Sequence, residues 1–115
     1  MKRDMDLIRL LLRSLEDETE PPELKTYDER TKANHAALLI EQGLAEGVIA
    51  QMGFNEIARA DLDRLTWAGH DFLDASRDET LWKKAKEKFM KPGAAFTFEI
   101  LKQWLQLEIK KVTGL

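Results

Sequence analysis

The stretch that most constrains this chain is residues 31–44, Thr-Lys-Ala-Asn-His-Ala-Ala-Leu-Leu-Ile-Glu-Gln-Gly-Leu. Ala36, Leu39, Ile40 and Gly43 recur at i, i+3, i+4 and i+7, the spacing of a helix with one face to cover. Gly43 supplies the left-handed residue that ends such a helix, and Leu44 is placed to fold back on its last turn. Two strand-like runs follow, residues 48–52 and 57–65, separated by Gly53-Phe-Asn-Glu56. In the second run Ala58, Ala60 and Leu62 alternate with Arg59, Asp61 and Asp63, the period of a half-buried strand. Gly53 and Asn55 suit the tip between them. A helix, a glycine stop and a hairpin in that order match the second half of a winged helix-turn-helix.

The flanking segments extend this reading. Asp4 is an N-cap candidate with Asp6 in the first turn, and Met5, Ile8, Leu12 and Leu15, flanked by Leu7 and Leu11, predict a helix over residues 5–17. Glu16-Asp-Glu-Thr-Glu-Pro-Pro-Glu23 holds five acids and two prolines and predicts a solvated loop. Residues 22–25 are expected to form one short turn, and Asp28 to cap the next helix. Beyond the hairpin, Thr66 reads as an N-cap, with Ala68, Phe72 and Ala75 as a buried stripe widened by Trp67 and Leu73. Gly69 inside that helix costs roughly 1 kcal/mol against alanine and implies close approach of another backbone. Asp78 caps a further helix that buries Leu81, Trp82, Ala85 and Phe89 and turns Lys83, Lys84, Lys86, Lys88 and Lys91 outward, with Pro92-Gly93 as its stop. Thr97 opens the last helix, where Phe98, Leu101, Leu105, Ile109 and Val112 share one face. Ile100, Trp104 and Leu107 form a second face, a candidate subunit interface. The expected fold is therefore mainly α with a small β-hairpin (α+β), a winged helix-turn-helix with added C-terminal helices. Residues 1–91 form the winged-helix-like domain, and residues 92–115 an amphipathic helix that packs on it or forms a dimer interface.

Composition narrows the function. At 115 residues with 43% hydrophobic and 34% charged residues, the chain suits one globular domain. It has no cysteine, which excludes disulfides, thiolate metal sites and thiol nucleophiles together. No apolar run is long enough to cross a bilayer, and the start lacks the pattern of a signal peptide, so a cytoplasmic location is expected. Net charge is −3, yet it is unevenly spread. Residues 1–65 hold 9 Lys/Arg against 14 Asp/Glu, and residues 66–115 hold 9 against 7. The half containing the candidate reading helix is thus the acidic one, the reverse of a phosphate-gripping footprint.

Three motifs, Met1-Lys-Arg-Asp-Met-Asp-Leu-Ile-Arg9, the run from His35 through Gly43-Leu44, and Leu65-Thr-Trp-Ala-Gly-His-Asp-Phe-Leu-Asp74, resemble those of a family of small bacterial and prophage proteins known as a domain of unknown function. The resemblance covers most of residues 1–90. It implies a winged-helix-like fold and a phage or mobile-element setting, and it brings no activity. Ala36 and Ala37 stand where related sequences more often carry bulkier or charged residues.

Two functions from different classes fit. The first is regulatory binding of double-stranded DNA through Arg30, Thr31, Lys32, Asn34 and His35, since asparagine reads adenine and arginine reads guanine in a major groove. Arg59 and Arg64 would add phosphate contacts from the hairpin. The second is an acidic protein-binding module that inhibits or redirects a host factor, with the loop at residues 16–23 facing a basic partner. A homodimer is compatible with either. Catalysis is not expected: His70, Asp71 and Asp74 share a helix, but a metal site needs three or four ligands and only His35 offers another imidazole. No cofactor is expected, for want of a glycine-rich phosphate loop or a zinc-ligand series.

Overall fold

A computed structural model of the chain describes residues 2–54, 56–90 and 96–113, with Thr113 described by its backbone alone. The elements run α1 Met5–Asp17, a 3-10 turn Pro22–Thr26, α2 Glu29–Glu41, β1 Ala45–Gln51, β2 Ile57–Leu65, α3 Trp67–Ala75, α4 Glu79–Phe89 and α5 Phe98–Thr113. Among the described residues this is a mainly helical α+β protein with one antiparallel two-stranded sheet. It divides into two compact units, Met1–His70 and Asp71–Leu115. The division expected between residues 91 and 92 lies outside the described residues, as do Asn55, Lys91 and the Pro92-Gly93 stop.

Local chemistry accounts for the helix ends. Asp4 accepts from the Leu7 N–H at 3.1 Å, Asp28 from Thr31 at 2.7 Å and Asp78 from Leu81 at 2.9 Å, each satisfying a first-turn donor that the helix cannot. Thr66 and Thr97 do the same for Gly69 and Ile100. At the far end of α2, Gly43 has φ +73°. Its N–H reaches the Ile40 carbonyl at 3.0 Å, and the Leu44 N–H reaches Leu39 at 2.9 Å. This paired closure reverses the chain straight into a strand. β1 accordingly starts at Ala45, three residues earlier than the expected residue 48, because the chain leaves the stop already extended and Ala45 is buried.

In the first unit, α2 packs on both strands and α1 packs on α2 and β2. Leu7, Ile8 and Leu12 of α1 and Leu39 of α2 are fully buried, each worth about 1.5–3 kcal/mol relative to exposure. The hairpin pairs Ala45 with Leu65 and Gln51 with Ile57, with register shifts after Glu46 and after Ala50. The second shift interrupts the expected alternation: Ala58 is exposed, whereas Ala60 and Leu62 are half-buried.

The buried face of α3 differs from the stripe expected of Ala68, Phe72 and Ala75 with Trp67 and Leu73. In α3 the buried positions are Gly69, Phe72, Leu73 and Ser76 just past its end, together with Ala75. Trp67 is 85% exposed and Ala68 is exposed too. Gly69 sets the rotation. A Cβ built on it would collide with the Leu44 carbonyl oxygen, so the helix presents its bare Cα to that backbone and swings residues 67 and 68 outward.

The second unit is organised by aromatic rings. Phe72 sits edge-on to Trp82 at 6.3 Å and to Phe98 at 5.3 Å between centroids, and Phe89 meets Trp104 at 5.7 Å. These T-shaped contacts suit the ring quadrupoles. Leu101 and Leu105 of α5 are fully buried, as expected, whereas Val112 on the same predicted face is 75% exposed.

Candidate interaction surface on the second helix and the hairpin

The residues singled out for groove reading start at the N-terminus of α2, where Asp28 caps the helix and leaves the first turn in solvent. Each side chain there already has a partner. Arg30 Nη2 lies 3.8 Å from Glu56, the residue just before β2, and Lys32 Nζ lies 2.8 Å from Glu29. The hydrogen bond to Glu29 raises the Lys32 ammonium above its ordinary pKa. Asp28 is lowered in turn, chiefly by the Thr31 backbone N–H. The Asn34 amide donates to the Arg30 carbonyl at 2.9 Å, closing on its own helix. Thr31 is half-buried, and its carbonyl accepts from His35 Nδ1 at 2.8 Å.

His35 leaves the candidate set. It is fully buried, and its Nε2 accepts the Asp4 N–H at 2.8 Å while Nδ1 donates to Thr31. The tautomer protonated at Nδ1 satisfies both bonds. Asp4 is held again from the side, where Tyr27 Oη donates to its Oδ2 at 3.0 Å. Burial and the Asp4 carboxylate push the Tyr27 phenol up to about 12. His35 therefore anchors the start of α1 to α2 and cannot reach a base edge. Its hydrogen-bond donor, the Asp4 N–H, lies 31 residues upstream, beyond any local spacing signal.

The hairpin cations are occupied as well. Arg59 Nε sits 2.8 Å from Asp61, and Arg64 grips both oxygens of Glu46 at 2.9 and 2.8 Å. Glu46 and Arg64 are directly opposed in the register, so this forked pair is a cross-strand contact. What the hairpin exposes instead is apolar: Phe54 is 94% exposed, Val48 64% and Met52 60%. The sequence reading passed over these three. The available signal was Phe54 itself, an aromatic residue beside Gly53 in a tip where polar residues are the norm.

The remaining candidates fall elsewhere. On α5, Ile100 and Leu107 are 50% and 58% exposed, and Trp104 is half-buried against Phe89. Lys83, Lys84 and Lys88 of α4 are exposed, and Lys86 is partly covered. His70 Nδ1 lies 4.0 Å from Glu16, and Asp74 is bound by Arg77 at 2.8 Å. Among the described residues no three His, Cys, Asp or Glu side chains converge as metal ligands, and no helix is long and apolar enough to cross a membrane.

Residues 2–95 match the family described as "Hypothetical protein (DUF2513)", and the chain belongs to that family. A relative from Haemophilus influenzae (strain Rd), named only "Uncharacterized protein", is 34% identical over 121 residues, covering 97% of this chain and 98% of its own. No solved structure matches.

Proposed function

We propose that this chain is a protein-recognition module on a winged-helix-type frame, and that its working surface includes the hairpin tip. One contrast carries the reading. Arg30, Lys32, Arg59 and Arg64, the cations a duplex would need, each face a carboxylate of the same unit, while Phe54, Met52 and Val48 stand in solvent. Large apolar side chains left in solvent along one hairpin suit association, and aromatic residues are among those that anchor protein interfaces. The phage or mobile-element setting implied by the family resemblance supplies a host protein as the partner class.

Regulatory binding of duplex DNA is the second reading, favoured by one observation. The ion pairs of Arg30, Arg59 and Arg64 are largely solvent-exposed, and such pairs are worth about 0–1 kcal/mol, little enough for phosphates to displace them. Titration of random-sequence duplex across a salt series separates the two. Protein recognition expects negligible affinity even near 50 mM salt. Tight binding that falls steeply with salt and is lost in Lys32→Ala/Asn34→Ala would replace it with the DNA reading. In parallel, Phe54→Ser is expected to release a partner co-purified in constant proportion, while shifting stability by less than about 0.5 kcal/mol.

Self-association belongs to the same proposal, with Ile100 and Leu107 of α5 as the seam. Sedimentation of Ile100→Asp reads it. A wild-type dimer that becomes a folded monomer supports the seam, and a wild-type monomer removes it.

A further inference from the structure

Among the described residues each strand of the hairpin has only the other as its ladder partner, so β2 retains one open edge there. Among the described residues, no backbone group outside the hairpin bonds to residues 58–62. Beside that edge lies a groove of about 690 Å³. Residues 58–62 line it without a gap. A cavity on the face of a sheet meets every second residue, because side chains alternate between faces. An unbroken run therefore places the groove along the edge of the strand. The Asp61 carbonyl is turned toward β1, against Gly47. Alternation then turns the N–H and C=O of Ala60 and Leu62 away from β1 and toward the groove.

The rest of the lining is made to receive side chains. Leu11 and Leu15 of α1 and Leu24 provide apolar surface, and Ala33 and Ala36 of α2 leave the room that larger residues would fill. The chain's own loop is poorly equipped to occupy the edge. Thr19 and Glu20 line the groove but run directly into Pro21 and Pro22, neither of which has an N–H to donate.

We propose that this edge takes, as a third strand, an extended basic segment of a partner protein, apolar at alternate positions. Charge selects the occupant. Glu29 and Asp61 in the lining are matched by Lys32 and Arg59, which leaves Glu20 as the unmatched charge of the groove. Asp17, Glu18 and Glu23 add exposed acids on the neighbouring loop. Five edge residues at about 3.4 Å each span about 17 Å, the length of an ordinary strand. Backbone pairing would supply affinity and the alternate side chains specificity. The inference rests on the protein-recognition reading for its class of partner, but on residues separate from the hairpin tip.

The probe is a blocked peptide of about seven residues alternating valine and lysine, titrated into the full chain and followed by amide NMR. Saturable binding is expected, with the largest shifts at residues 58–62 and slowed hydrogen exchange at Ala60 and Leu62. N-methylation of the alternate peptide residues that face the edge should weaken binding at least about tenfold, and of the other set little. Glutamate in place of lysine should weaken it at least about tenfold as well. Ala60→Pro, which removes an outward N–H from an edge strand, should act like the first N-methylated peptide. The peptide arms leave the protein untouched, so they decide the matter even where that variant misfolds. Absence of binding, shifts confined to the hairpin tip, or equal binding by both N-methylated peptides would overturn the inference. So would a peptide-free dimer that protects the same amides, which gives the edge to a second copy. Partner release by Phe54→Ser without peptide binding would sink this inference alone. Salt-steep duplex binding would instead sink the broader reading and leave the peptide result standing.

Discussion

Gly69→Ala is expected to destabilise the protein by about 3 kcal/mol, a fall in Tm of very roughly 12–24 °C for a unit of this size. Helix propensity alone predicts the opposite sign, since alanine is favoured over glycine by about 1 kcal/mol inside a helix. Packing decides. The new Cβ would meet the Leu44 carbonyl oxygen, a backbone atom that cannot rotate away as a side chain would. That same oxygen accepts the Thr66 N–H at 3.1 Å. Moving it also disturbs Thr66 Oγ1, which donates to the Gly43 carbonyl at 2.6 Å and accepts from the Gly69 N–H at 3.1 Å. One methyl group therefore strains the whole junction where α2 ends, β1 begins and α3 starts. Ala68→Gly is the matched control on the exposed side of the same turn, where only propensity is at stake and about 1 kcal/mol should be lost. Thermal or urea unfolding measures both. A neutral or stabilising Gly69→Ala would show that the Leu44 carbonyl does not lie against α3.

The contrast between these neighbouring positions shows what the sequence could and could not convey. Caps and stops act within about three residues, so Asp4, Asp28, Gly43, Thr66, Asp78 and Thr97 were all readable in place, and with them the order of helices and hairpin. Gly69 was readable as a close approach, yet its partner was not, because Leu44 lies 25 positions away and only the fold brings them together. The same limit applies to the charges on the candidate surface. Lys32 with Glu29, and Arg59 with Asp61, are near neighbours in the chain, and their pairing was available from spacing. Arg64 with Glu46, and Arg30 with Glu56, depend on the strand register and on the packing of α2 beside the hairpin. Without those two pairs Arg30 and Arg64 stood as candidate base and phosphate contacts, even in an acidic half of the chain. The open edge of β2 was illegible for a related reason: a missing third strand leaves no mark on the residues that would have paired with it.

His35→Ala is expected to cost about 3–4 kcal/mol, and its main interest is what it does to the neighbouring Tyr27. Removing the buried imidazole leaves a cavity and strips the Asp4 N–H of its partner. Leaving a buried polar group unpaired costs about 1–3 kcal/mol, and the void adds to that. Asp4 is the shared element. Its backbone is held by His35, its Oδ2 by the Tyr27 hydroxyl, and its Oδ1 caps α1 through Leu7. Tyr27→Phe in the wild-type background should cost about 1 kcal/mol by loss of one hydrogen bond. In the His35→Ala background Asp4 is no longer fixed, and the same change should cost markedly less, giving a coupling of at least about 0.5 kcal/mol in the double-mutant cycle. Additivity would mean that the two side chains act independently and that Asp4 is held by its cap alone. The same variant bears on function, because a buried anchor contributes to binding only through the fold. At temperatures where His35→Ala remains folded, its affinity for any ligand of α2 or the hairpin should match the wild type. A folded His35→Ala protein with selectively lost binding would return His35 to the contact surface and take the interlock of α1, Tyr27 and α2 apart.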